Sequence, residues 1–157
     1  MAQKNVEIAR RFTGVLIGPD LIPVFADEAQ KGAMTATLES MLHPDHEFVA
    51  ATGGVALDAE FRGQRESLEG YMAGWSEWLS VWDTFVIELE EIRELPDGRI
   101  LLLTRTRSRS KAAGLEIEGE HGLICTVRDG KIFRFEQFLN RNEALKASGV
   151  TTSRGAR

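Results

Sequence analysis

Leu115-Glu116-Ile117-Glu118-Gly119-Glu120-His121-Gly122-Leu123-Ile124-Cys125-Thr126-Val127-Arg128-Asp129-Gly130-Lys131-Ile132-Phe133-Arg134-Phe135-Glu136-Gln137-Phe138-Leu139 is the stretch that decides the fold. Side chains alternate across a strand, so Leu115, Ile117, Gly119, His121, Leu123, Cys125 and Val127 share one face, and Glu116, Glu118 and Glu120 the other. The apolar set is read as facing inward. On the following strand Phe133, Phe135, Gln137 and Leu139 share a face, with Arg134 and Glu136 opposite. A two-residue loop would set Leu123 against Glu136. A three-residue loop, Arg128-Asp129-Gly130, sets Cys125 against Phe133 and Leu123 against Phe135, apolar against apolar. Register follows the buried pattern, so the three-residue loop is expected. It places His121 directly opposite Gln137, with Cβ atoms roughly 5 Å apart.

Working backwards, residues 84–94 and 99–109 flank Leu95-Pro96-Asp97-Gly98, the composition of a type I turn with glycine at the left-handed position. Two hairpins in succession make a four-strand antiparallel meander. Leu68, Tyr71, Met72, Trp75, Trp78, Leu79 and Trp82 recur at spacings of three and four, which predicts an amphipathic helix from about Gln64 to Leu79 with an aromatic stripe. Residues 53–62 read as a loop after a short strand, Glu47–Thr52. Met34, Leu38, Met41 and Leu42 give a second helical stripe, and Val6, Ile8, Ala9, Phe12, Val15 and Leu16 a first over residues 4–16. Leu21–Lys31 reads as a loop with a short helical turn, and Asn140–Ala147 as a closing helix. The expected fold is α+β: a cone-shaped, curved antiparallel sheet with helices on its concave face, enclosing a pocket.

The chain has 157 residues, one cysteine and a formal net charge of −5. One domain of that length buries roughly 70% of its unfolded surface, so it needs neither disulfide nor metal to fold. The acidic balance argues against nucleic acid as a partner, since phosphate binding needs a basic face. No stretch approaches the ~20 apolar residues of a membrane span, and no secretory signal is visible. A single cysteine, Cys125, forms no internal disulfide, and the natural setting is cytoplasmic. No cofactor motif is present: there is no Gly-rich phosphate loop, and no cluster with metal-ligand spacing. The domain is placed at residues 1–149, with a disordered tail at 150–157.

His121 is the ionisable side chain of the inner face, and it has two readings. It is a core histidine satisfied by Gln137 or a backbone carbonyl, or it is a pocket acid, base or donor. In the second reading His121 and Gln137 are the catalytic focus. Phe12, Phe48, Tyr71, Trp75, Leu123 and Phe135 then line the cavity around a small apolar or cyclic ligand. His43 and His46 are read as surface residues. Arg105, Arg107 and Arg109 alternate on an outer face opposite the Glu88–Glu91 run. Ile124 and Phe138 are apolar on that outer face, which suggests a homodimer formed sheet to sheet.

Several strings resemble the SnoaL-like branch of the nuclear-transport-factor-2-like superfamily. They are Asn5-Val6-Glu7, His43-Pro44-Asp45-His46-Glu47-Phe48, Phe61-Arg62-Gly63-Gln64-Arg65-Glu66, Val127-Arg128-Asp129-Gly130-Lys131-Ile132 and Leu139-Asn140-Arg141-Asn142-Glu143-Ala144-Leu145. The resemblance covers about residues 4–149 and implies the cone fold. It does not imply one activity, because that fold hosts isomerases, cyclases, hydrolases, dehydratases and non-catalytic binding modules. The tyrosine, acid and aspartate of the ketosteroid isomerase relatives fall here on Phe12, Leu123 and Ala50, which excludes that mechanism. The histidine and acid of the polyketide cyclase relatives fall on Leu123 and Gln137. The leading reading is a small-molecule-pocket protein, with lyase, isomerase or hydrolase chemistry as its enzymatic form, and the alternative is a non-catalytic association module. The segment Gly18–Gly32 is longer than the usual connection, and is expected to form a lid or a dimer contact.

Overall fold

Helix α1 (Ala2–Thr13) lays Ile8, Ala9 and Phe12 on one face, and all three are buried. This is a computed structural model, which describes residues 2–52, 65–66 and 68–149. After α1 come α2 (Leu21–Ala26), α3 (Glu28–Ser40), β1 (Leu42–Thr52), β2 (Arg65–Glu66) and α4 (Leu68–Leu79). Four long elements follow, β3 (Trp82–Glu94), β4 (Ile100–Ser110), β5 (Glu116–Arg128) and β6 (Lys131–Phe138), and α5 (Arg141–Ser148) closes the domain. The predicted loop at 53–62, the string Phe61–Gln64 and the tail at 150–157 lie outside the described residues.

The strands form one sheet in the order β2-β1-β6-β5-β4-β3. The meander β3–β6 is antiparallel throughout, as its two turn signatures require. β1 joins it parallel to β6, so the sheet is mixed. A parallel neighbour needs a long connection, and about half of the chain lies between β1 and β6. α1 and α4 cover the inner face. Ile8, Phe12, Phe48, Tyr71, Trp75, Phe85, Leu102, Leu123, Cys125 and Phe135 belong to that main core.

The outer face carries a second, smaller core of Leu95, Leu101, Leu103, Ile124, Phe138 and Ala144. This corrects the expectation for Ile124 and Phe138. They are 0% and 4% exposed within the single chain, because its own α5 covers them. Gly122 makes the approach possible, since a Cβ there would stand 2.4 Å from the Ala144 Cβ. Beyond α5 the outer face is charged. Arg105 pairs with Glu90, Glu118 and Glu120, Arg107 with Glu88 and Glu118, and Arg109 with Glu116. The outward arginine row is therefore as expected, with glutamates on both flanking strands.

The segment Gly18–Gly32 is neither lid nor loop. Gly18 N–H donates to the Ile87 carbonyl at 2.9 Å, and Asp20 bridges to Val86. One Asp20 carboxylate oxygen accepts from Phe85 N–H at 3.0 Å and from Ile22 N–H, the start of α2, at 3.1 Å. The insertion thus satisfies part of the free edge of β3, the kind of edge that otherwise invites aggregation. α2 and α3 then carry the chain back, each capped by an aspartate, Asp20 and Asp27.

Candidate functional site

The β5–β6 turn sets the site, and it differs from the expectation. Arg128 pairs with Lys131, leaving a two-residue loop. Asp129 and Gly130 both have positive φ, 55° and 75°, the left-handed pair that tight hairpins use. One residue later β6 bulges: Val127 pairs with Ile132, but Thr126 pairs with Arg134. The extra residue, Phe133, turns its ring to the Arg128 guanidinium (3.6 Å) and the His43 ring (5.3 Å). Ile132 takes the inner position and is fully buried. A bulge thus reconciles the tight turn with apolar pairing, which a regular ladder could not do.

The consequence is a shifted partner for every residue beyond the bulge. Cys125 pairs with Phe135 and Leu123 with Gln137, so His121 is not opposite Gln137. Both remain on the inner face, one pair apart. His121 instead reaches the end of β6. Its Nδ1 lies 2.9 Å from the Leu139 carbonyl oxygen, which can only accept, so Nδ1 carries the proton and donates. Nε2 then accepts from the Thr106 hydroxyl at 3.0 Å. The ring lies along the strand over Gly119, where a Cβ would come within 2.6 Å of Nε2. Burial holds the His121 pKa below the usual histidine range, and nearby Arg141 lowers it further, against the opposing pull of the Leu139 bond and Glu120. The neutral ring is favoured, and both its nitrogens are engaged. Gln137 is half-buried and makes no side-chain hydrogen bond to another described residue.

The six residues expected to line a cavity instead pack against one another in the main core. Phe48 stacks on Tyr71 with ring centroids 4.1 Å apart. Phe135 meets Phe12, Phe48 and Tyr71 edge-on at 5.4, 5.7 and 5.9 Å, and Tyr71 meets Trp75 at 6.4 Å. Leu123 is buried in the same core. Trp75 is 8% exposed and belongs to the same core.

The inner face does not stay covered. Along β5 the residues Leu123 and Cys125 are buried, whereas Ile117 is 44% and Leu115 61% exposed. Alternation had placed all four inside. The floor beside the exposed pair is small and polar, Ser108, Thr106 and Gly119, with His121 at the boundary. Sequence reasoning missed Thr106: alternation with outward Arg105 and Arg107 turns it inward, but its contact with His121 follows only from the β4–β5 register.

His43 and His46 are half-buried, not surface residues. His46 Nδ1 donates to the His43 carbonyl at 2.8 Å, and Nε2 accepts from Leu68 N–H, the first residue of α4, at 3.3 Å. His46 therefore caps α4, a role with no sequence signature because twenty-two positions separate the partners. Cys125 is fully buried and its thiol pKa is pushed far up by burial, so it offers no nucleophile.

The fold is shared with solved proteins described as nuclear-transport-factor-2-like and SnoaL-like. No family model matches the chain, and no curated protein matches it. Solved structures do. A protein described as a SnoaL-like polyketide cyclase from Jannaschia sp. CCS1 superposes with a TM-score of 0.61 at 12% identity, covering 96% of this chain and 94% of that one. TerC, co-crystallised with polyporic acid, gives 0.59 at 18% identity, covering 92% and 97%. A nuclear-transport-factor-2-like protein of unknown function from Burkholderia pseudomallei K96243 gives 0.60 at 14% identity, covering 92% and 97%. Identities this low establish the fold alone. No described helix is long and apolar enough to cross a membrane.

Proposed function

We propose that the protein binds a small, flat, largely apolar and cyclic molecule on the open part of the inner face, against the aromatic cluster. The observation that carries this reading is the incomplete cover of β5. The apolar side of the strand is buried at Leu123 and exposed at Ile117 and Leu115, where a ligand could rest. Half-buried Gln137 stands beside it as the polar group that would orient a ligand, with the His121 ring at the border. Concave, mainly apolar surfaces with a few placed polar groups are the usual form of small-molecule sites. A structure of the same fold, TerC, was crystallised with polyporic acid.

Binding fits the geometry better than acid–base catalysis. The neutral His121 ring spends Nδ1 on Leu139 and Nε2 on Thr106, so a substrate would have to displace the threonine to reach a base. The test is calorimetric titration with a hydroxynaphthalene. Gln137→Ala should weaken binding by about tenfold, the loss of one or two oriented hydrogen bonds, and His121→Ala by less, through lost contact alone, with melting still cooperative. Absence of saturable binding, or binding indifferent to both substitutions, would overturn the reading.

A further inference from the structure

We propose that the free edge of β5, residues Glu116–His121, is a docking site for an extended, basic segment of another protein, which adds to the sheet as a strand. β5 pairs with β4 from Arg109–Glu116 to Ile100–Cys125, but its last pair with β6 is Gly122–Phe138. β6 cannot run further: the Leu139 carbonyl is held by His121, and Asn140 caps α5 by accepting from Asn142 and Glu143 N–H. Six residues of β5 therefore have a strand on one side and no described strand on the other. Unlike the β3 edge, which the Gly18–Asp20 segment partly satisfies, this one is exposed. Glu116, Glu118 and Glu120 side chains are 77%, 59% and 52% exposed, and Ile117 and Leu115 are open on the other face.

Charge selects the occupant. On the outer face the columns alternate: Glu88 and Glu90 on β3, Arg105, Arg107 and Arg109 on β4, Glu116, Glu118 and Glu120 on β5. Each column neutralises its neighbour, and no described strand occupies the next position outward. Among the described residues only Glu120 has a second cation on that side, Arg141 at 3.7 Å. An added strand with lysine or arginine at alternate positions continues the pattern, and its intervening apolar side chains fall beside Ile117 and Leu115. Main-chain bonds give such strand addition its affinity, and alternate side chains its specificity. A second copy of the chain is a poor occupant. Antiparallel pairing of two β5 edges about Glu118 sets Glu118 against Glu118 and Glu116 against Glu120, and like charges directly opposite are destabilising.

The probe is a blocked hexapeptide alternating lysine and valine, titrated into the whole protein at low salt and followed by amide shifts and hydrogen exchange. Saturable binding with slowed exchange confined to Glu116–His121 is expected. The double substitution Glu116→Lys with Glu118→Lys should weaken it by about tenfold, as two exposed ion pairs are reversed. Both side chains are exposed, so the variant folds, and Glu116→Gln with Glu118→Gln should fall between it and the natural chain. The proposal is overturned by no saturation at millimolar peptide, or by equal binding of a glutamate–valine peptide. Protection of the edge amides in free protein that sediments as a dimer also overturns it, because a second copy then fills the edge. None of these outcomes depends on the small-molecule reading.

Discussion

From Gly122 to Cys125, β5 is buried on both faces, and from Glu116 to Glu118 it is exposed on both. The alternation of residue types differs little between the two halves: apolar inward, then Ile124 or glutamate outward. What differs is the cover. The buried half has α1 and the aromatic cluster inside, α5 outside and β6 alongside. Among the described elements, the exposed half has only β4 beside it. The comparison teaches that alternation reports which side a residue faces, and not whether anything lies on that side. Stability should therefore concentrate in one half of the strand, leaving the other free to bind.

Substitution tests that contrast most sharply. Phe12→Ala removes a ring that is 1% exposed and contacts Phe48 and Phe135 over the buried half. It should cost about 3–5 kcal/mol in chemical denaturation. Ile117→Ser, in the exposed half, should stay within about 0.5 kcal/mol of the natural chain. A comparable loss from both would erase the distinction.

Next in size is the close approach of α5. Gly122→Val should cost about 1–3 kcal/mol, because its Cβ would collide with Ala144. The double variant Gly122→Ala with Ala144→Gly should recover most of what Gly122→Ala loses. If it does not, α5 is not what buries Ile124 and Phe138.

His121 sits at the boundary, and its protonation sharpens the comparison. Burial first, then Arg141, holds its folded pKa below the ordinary value of about 6.5. In that window the unfolded chain binds more protons than the folded one, so stability falls as pH drops from about 6.5 through the lowered pKa, and the loss is complete below it. Denaturation midpoints measured across that range should show this slope, and His121→Gln should flatten it. An unchanged slope would remove His121 as the cause. The smallest effect belongs to the outer ladder. Arg107 is 61% exposed, and Arg107→Ala should change stability by less than about 1 kcal/mol, less still at high salt.

Much of the fold was legible. The glycine turns, the alternating strands and the aromatic stripe on α4 are local signals, and each appears in the structure near its expected place. Local signals also placed Phe12, Phe48, Tyr71, Trp75, Leu123 and Phe135 in one interior, since apolar stripes point at the same core. The candidate polar pair was only half legible. His121 and Gln137 share the inner face, but the bulge at Phe133 separates them. A bulge leaves no mark in an alternating sequence when both registers offer apolar partners, here Phe133 or Phe135 for Cys125.

By itself, then, the sequence determined the turn positions, the order of elements and which residues face the same way, because backbone preferences and side-chain alternation act over a few residues. Only the tertiary structure decided the β5–β6 register, the cover of Ile124 and Phe138 by α5, the sealing of β3 by Gly18 and Asp20, and the open half of β5. Each of these depends on segments distant in sequence meeting in space. The energies that choose among such meetings, packing of Ala144 on Gly122 or the bond from His121 to Leu139, exist only once the chain has folded.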